Sequence, residues 1–151
     1  MKIKEILKPD CILVEKASST KKQLLEKLAY LAAEKTNMDS MVVLNALVER
    51  ERLGTTGIGH GVALPHTRLE GLKEIFCAFM KTKPVQFDAV DNKPVDLLFL
   101  LLVPENAGAD HLKALAALSR LLRDEKTTEK LRKSDLPKEL YSIILDNDTD
   151  G

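Results

Sequence analysis

The chain has 151 residues, 44% hydrophobic and 30% charged, and its 23 basic side chains balance 23 acidic ones. That length suits one domain burying roughly 68–70% of its unfolded surface, so its core needs no disulfide or metal staple. The balanced charge lacks the cationic excess that drives counterion release on nucleic acid, and seven Gly and six Pro without long biased tracts exclude a collagen-like or disordered body.

The N-terminal stretch MKIKEILKPDCILVEK breaks its apolar residues with charge every two or three positions. It lacks the continuous hydrophobic region of a signal peptide, and no export is expected. Residues 1–15 combine a short helix-like KIKEIL with the apolar Cys11-Ile12-Leu13-Val14, read as a first strand at the domain edge. Cys11 and Cys77 show no CxxC or Cys/His spacing, so they read as reduced thiols packed as small hydrophobes, consistent with a reducing cytoplasm.

Thr20 followed by Gln23 fits a capping box, and Leu24, Leu25, Leu28, Leu31 and Ala32 recur at helical spacing through about Glu34. A second helix is expected from Asp39 or Ser40, turning Val43, Leu44, Leu47 and Val48 inward and ending on Glu49-Arg50-Glu51-Arg52. Gly54 to Gly61, GTTGIGHG, holds four of the seven glycines and reads as a loop. Ile75 to Met80 reads as a buried strand, Phe87 to Lys93 as turn-rich, and Val95 to Val103 as a strand covered on both faces and closed by Pro104. The longest apolar run, Leu97 to Val103, falls far short of the ~20 residues of a membrane helix. His111, Leu115, Leu118 and Leu122 share one face of a helix reaching about Arg123. Shorter amphipathic helices are expected near 127–133 and 137–145, giving a single domain over 1–146 and a mobile polar tail from Asn147 to Gly151. Helices at both ends with strands interleaved, and a strand needing cover on both faces, call for an α/β three-layer sandwich.

Two of the three histidines, His60 and His66, fall in or just after the glycine-rich stretch, and the third, His111, follows Asp110 at a helix start. His66 follows the rigid Pro65, and the loop glycines Gly57, Gly59 and Gly61 can bring amides close to a bound anion. A neutral imidazole offers one nitrogen as nucleophile while the other is oriented by a hydrogen bond. Arg50, in the run ERER that ends the second helix, reads from spacing either as a solvated charge or as a guanidinium able to pair with phosphoryl oxygens. For His111, the helix dipole in a first turn favours a neutral ring able to donate one hydrogen bond, and a buried helix residue with a satisfied nitrogen is the equal alternative.

The run RERLGTTGIGHGVALPH, Arg50 to His66, resembles the active-site signature of the EIIA domains of the fructose, mannitol and nitrogen branches of the bacterial phosphotransferase system. The likeness continues through FDAVDNKPVDLLFLLLVPENAGADHLKALAALSRLL. It implies an α/β/α sandwich with a mixed sheet of about five strands. It also implies that His66 takes a phosphoryl group on Nε2 from a phosphorylated HPr-type carrier, that Arg50 contacts the phosphoryl oxygens, and that His111 orients His66 or bonds the phosphate. No metal or cofactor, nucleic acid or membrane insertion is implied.

The spacing is closest to the nitrogen-regulatory branch, whose phosphorylation state controls partner proteins. The alternative is a fructose- or mannitol-type transport component passing the group to a cysteine of a separate EIIB. Two positions depart from the family pattern: His60 stands where Asn is common, and Thr67 where Gly commonly follows the histidine. The β-branched Thr67 is expected to stiffen a turn after His66, and His60 to be an exposed bystander. A metal-dependent hydrolase using His60, His66 and His111 lacks an HExxH-type pair or carboxylate set. A binding module without phosphotransfer is the remaining class.

Overall fold

A computed structural model of the chain describes residues 1–149. A 3-10 turn at Ile3–Glu5 leads into strand β1 (Leu7–Glu15), helices α1 (Lys21–Thr36) and α2 (Ser40–Leu53), and short strands β2 (Gly57–Gly59), β3 (Val62–Ala63) and β4 (His66–Leu69). Long strands β5 (Phe76–Val85) and β6 (Val95–Pro104) follow, then helices α3 (Ala109–Arg123), α4 (Glu125–Arg132) and α5 (Pro137–Asp146).

The local signals act as their chemistry requires. Thr20 Oγ1 accepts the Gln23 amide while the Gln23 side chain accepts the Thr20 amide, satisfying two free donors at the start of α1. Asn37, at φ 60°, ends that helix, and the Asp39 carboxylate caps α2 through the Met41 amide at 2.8 Å.

The sheet runs β1-β5-β6-β3-β2, with β4 also paired to β6. β1 lies parallel to β5, β3 and β4 parallel to β6, while β5–β6 and β2–β3 are antiparallel. Val62 opposes Leu97, Ala63 opposes Leu98 and His66 opposes Leu101, one constant register. β3 and β4 are therefore two pieces of a single strand track, broken where Pro65 has no amide to donate and where the Leu64 amide turns to the Thr56 carbonyl at 3.0 Å. Counted this way the mixed sheet has five strands.

Leu97 to Val103 are all completely buried. Successive strand residues point to opposite faces, so both faces of β6 are covered, as three layers demand. α1 and α2 pack on each other and reach β5 and β4; α3 lies on β6, α5 on β1, and α4 joins α3 to α5. Phe79 and Phe99 stack edge-on across β5 and β6 with centroids 5.0 Å apart.

Three expectations change. The glycine-rich stretch is not only loop, because β2 and β3 form a hairpin inside it. No turn follows His66: Thr67 sits in β4 opposite Leu102, an extended position that suits a β-branched residue. The left-handed residue is His60 instead, at φ 57°, in the β2–β3 turn. Of the tail expected from Asn147, Asp148 accepts the Ile3 amide and the Thr149 carbonyl accepts an Arg120 N–H, while residues 150 and 151 lie outside the described residues.

Candidate active site

His66 opens β4 directly after the break at Pro65, whose carbonyl accepts the Leu101 amide at 3.0 Å. The half-buried ring places Nδ1 2.7 Å from the Leu64 carbonyl oxygen. A carbonyl only accepts, so Nδ1 carries the proton and the lone pair of the neutral ring is on Nε2. Burial lowers the pKa of His66 below its ordinary 6.5, the Leu64 bond opposes that shift, the Arg50 charge adds to it, and the Glu51 charge opposes it.

His111, in the first turn of α3, brings its ring to 6.2 Å from that of His66, centroid to centroid, tilted by 50°. Its Nδ1 is buried and has no hydrogen-bond partner among the described residues. Burial lowers its pKa first, followed by the charges of Arg68 and His66. Arg68 lies two residues beyond His66 on the same face of β4, and its Nη1 donates to the Glu105 carbonyl at 2.8 Å, tying the strand to the loop that enters α3. Strand alternation from His66 is the signal that finds Arg68. Reading the segment as a turn hid it.

Arg50 leaves the last turn of α2 and donates from Nη1 to the Gly54 carbonyl at 2.8 Å, while its charge reaches His66. The neighbouring Glu51, one of the four charged residues expected to end α2, has a side chain just 7% exposed. Its carboxylate accepts the Thr56 amide at 3.1 Å and the Thr56 hydroxyl, and pairs with Lys21 at 3.1 Å. Lys21 also donates to the Phe87 carbonyl and lies 4.5 Å over the Phe87 ring.

Of the glycines expected as a phosphate cradle, Gly59 and Gly61 lie towards the other end of the strand track from His66. Gly61 precedes Val62 on the strand track, five residues before His66, a separation of about 16 Å at the strand rise. Its φ is +78°, and a Cβ there would lie 2.6 Å from an Arg132 Nη and 3.0 Å from an Asp96 oxygen. Gly59, at φ +99°, pairs with Val62 at the same end of the sheet. Gly57 is glycine because a Cβ would approach the Ala89 backbone to 2.9 Å. All three glycines let the hairpin pack against the 87–96 segment, Gly59 and Gly61 towards the end of the sheet away from His66 and Gly57 opposite Ala63. His60 belongs to that distant end too: its amide donates to Asp91 at 3.0 Å and its carbonyl accepts from Arg132 at 2.9 Å. The three histidines therefore do not converge on one point.

The structure thus brings together His66 and His111, flanked by the guanidiniums of Arg50 and Arg68, with Nε2 of His66 and Nδ1 of His111 both without a hydrogen-bond partner among the described residues. The family model described as phosphoenolpyruvate-dependent sugar phosphotransferase system, EIIA 2, matches residues 5–147. The chain belongs to this EIIA family. It is 47% identical over 145 residues to a nitrogen regulatory protein of Bradyrhizobium diazoefficiens, covering 95% of each chain. It is 36% identical to a fructose-specific EIIA component of Haloferax volcanii, covering 89% of each. Among solved structures, the nitrogen regulatory protein IIA-Ntr of Neisseria meningitidis superposes with a TM-score of 0.87 at 40% identity, covering 94% of this chain and 98% of that one. The mannitol IIA of Escherichia coli, 19% identical with a TM-score of 0.76, shares the fold.

Within this EIIA chain no helix among the described residues is long and apolar enough to cross a membrane. Cys11 and Cys77 are buried and unpaired, and burial pushes both thiols up, Cys11 to about 11, so they stay protonated at neutral pH.

Proposed function

We propose that this EIIA protein is a cytoplasmic phosphocarrier that accepts a phosphoryl group on Nε2 of His66 from a phosphorylated HPr-type protein, and that it serves the nitrogen-regulatory branch. The observation that carries the reading is the 2.7 Å contact of His66 Nδ1 with the Leu64 carbonyl, which commits the ring to the tautomer with Nε2 unprotonated. The Nε2 lone pair attacks phosphorus in line, and the bond from phosphorus to the donor's histidine nitrogen breaks and returns its electron pair to that nitrogen. Nδ1 keeps its proton against Leu64, where the carbonyl stabilises the positive charge the ring gains on phosphorylation. Arg50 and His111 stabilise the transferring oxygens, and Arg68 tethers the loop that leads to His111 through the Glu105 carbonyl. Preorganisation of these groups replaces any need for them to reorient during transfer.

The nitrogen-regulatory assignment draws on the relatives named for that role, similar over nearly their whole length. In this reading the phosphorylation state of His66 governs binding to regulatory target proteins. The similarity to a fructose-specific EIIA component favours a second reading, in which a separate EIIB is the next acceptor.

Incubation with phosphoenolpyruvate, enzyme I and an HPr homologue is expected to add one acid-labile phosphoryl group, lost in His66→Ala. Full labelling of that variant would overturn the assignment. Rapid discharge to an added EIIB would favour the transport reading over the regulatory one.

A further inference from the structure

The carboxylate of Glu51 begins a series of contacts that ends on the His66 ring. It holds Thr56 by the amide at 3.1 Å and by the hydroxyl. The Thr56 carbonyl accepts the Leu64 amide at 3.0 Å, and the Leu64 carbonyl accepts Nδ1–H of His66 at 2.7 Å. Each link crosses from one backbone segment to another: α2 to the loop entry, the loop entry to the segment before Pro65, and that segment to the ring. The Leu64 carbonyl is free to meet His66 only because the strand track breaks at Pro65, so its position is set by the Leu64 amide on Thr56 and, one step back, by Glu51.

A carboxylate this buried must be compensated, and Lys21 and the two Thr56 donors do so. Thr56 itself is 3% exposed, so water does not readily replace the link. The charge matters as well as the geometry. The ring of His66 feels Arg50 and Glu51 from α2, while His111 on α3 stands beside it and Arg68 extends from its own strand. Of these, Glu51 alone is anionic.

From this arrangement we infer that Glu51 is a positioning residue for His66, fixing the Nδ1–H tautomer through Thr56 and Leu64. Its charge, next to Arg50 on α2, acts on the ring in the opposite sense to that guanidinium. Glu51 contacts neither the ring nor a bound phosphoryl group. Its work is to keep Nε2 unprotonated in the neutral ring and basic enough to attack. This role rests on His66 as the phosphoryl acceptor, but it is measurable in the unphosphorylated protein.

The test is nitrogen and proton NMR titration of His66 in the full chain, with thermal melting to verify the fold. Glu51→Gln keeps an oxygen for the Thr56 amide and removes the charge. It is expected to retain the Nδ1–H tautomer while weakening the proton affinity of His66 by about twofold or more, as for loss of a nearby screened charge. Lys21→Gln removes the counter-charge of the carboxylate, leaving it the Thr56 donors alone, and shifts that affinity in the opposite direction. Glu51→Ala removes the link to Thr56 as well and is expected to mix the two tautomers. A folded Glu51→Gln protein whose His66 titrates as in the wild type would overturn the electrostatic part. An unchanged tautomer in folded Glu51→Ala would overturn the positional part. Failure of phosphoryl labelling with these titration shifts intact would count against the phosphocarrier reading and leave the role of Glu51 standing.

Discussion

Gly61→Ala separates a glycine needed for packing from one needed for phosphate. At φ +78° an alanine is strained by about 1–2 kcal/mol, because its Cβ crowds the following carbonyl. The same Cβ would sit 2.6 Å from Nη2 of Arg132, too close for that guanidinium to remain. Arg132 now donates to both Asp96 oxygens at 2.8 and 2.9 Å and to the His60 carbonyl at 2.9 Å, joining the end of α4 to β6 and the β2–β3 turn. The Arg132–Asp96 side chains are 34% and 24% exposed, so water recovers part of the loss, leaving roughly 1–2 kcal/mol for the displaced contacts. The expected destabilisation is about 2–4 kcal/mol, and melting should fall by roughly 5–15 °C in a chain of this size. Urea denaturation measures the first and a thermal melt the second. Labelling of His66 by phospho-HPr should persist in the folded variant at low temperature, since the perturbation lies about 16 Å along the strand track from that histidine. Wild-type stability combined with lost labelling would refute the argument and restore the glycine loop as the phosphate cradle.

Other outcomes follow from the same geometry. Because burial holds His66 and His111 below the ordinary 6.5, the unfolded chain binds more protons than the folded one as pH drops from about 6.5 towards their folded values; stability should decline across that window and be unaffected by these groups above it, as urea melts at stepped pH will record. Phosphoryl acceptance should for the same reason persist to lower pH than a free histidine allows, with a midpoint below 6.5 in a pH–rate profile. Arg68→Ala removes a cation that disfavours the charged form of His111 and frees the Glu105 carbonyl, so NMR titration should show His111 binding its proton more tightly and labelling should slow. An unmoved His111 titration would remove Arg68 from the site. Phe99→Ala, at a completely buried position stacked on Phe79, should cost about 3–5 kcal/mol in urea denaturation without shifting the His66 titration.

Sequence determined what depends on local chemistry and period. The capping box at Thr20, the Asp39 cap, the apolar faces of five helices and the unbroken run at Leu97 to Val103 specify elements within a few residues, because caps and apolar stripes act over one or two turns. The run Arg50 to His66, with His111 downstream, was enough to single out the residues that carry the proposed chemistry. What needed tertiary structure was everything set by segments meeting across the chain. Glycine density alone does not distinguish a ligand cradle from a close approach, and only the positions of Ala89, Arg132 and Asp96 show why Gly57 and Gly61 carry no side chain. The extended path of Thr67 depends on its pairing with Leu102, and the importance of Arg68 on a carbonyl 37 positions away. The tautomer of His66 likewise depends on a carbonyl freed by the break at Pro65, within a chain of contacts starting at a carboxylate that sequence presents as one more charge in ERER. Its burial, and with it its influence, exists only once α2, the loop entry and Lys21 are packed together.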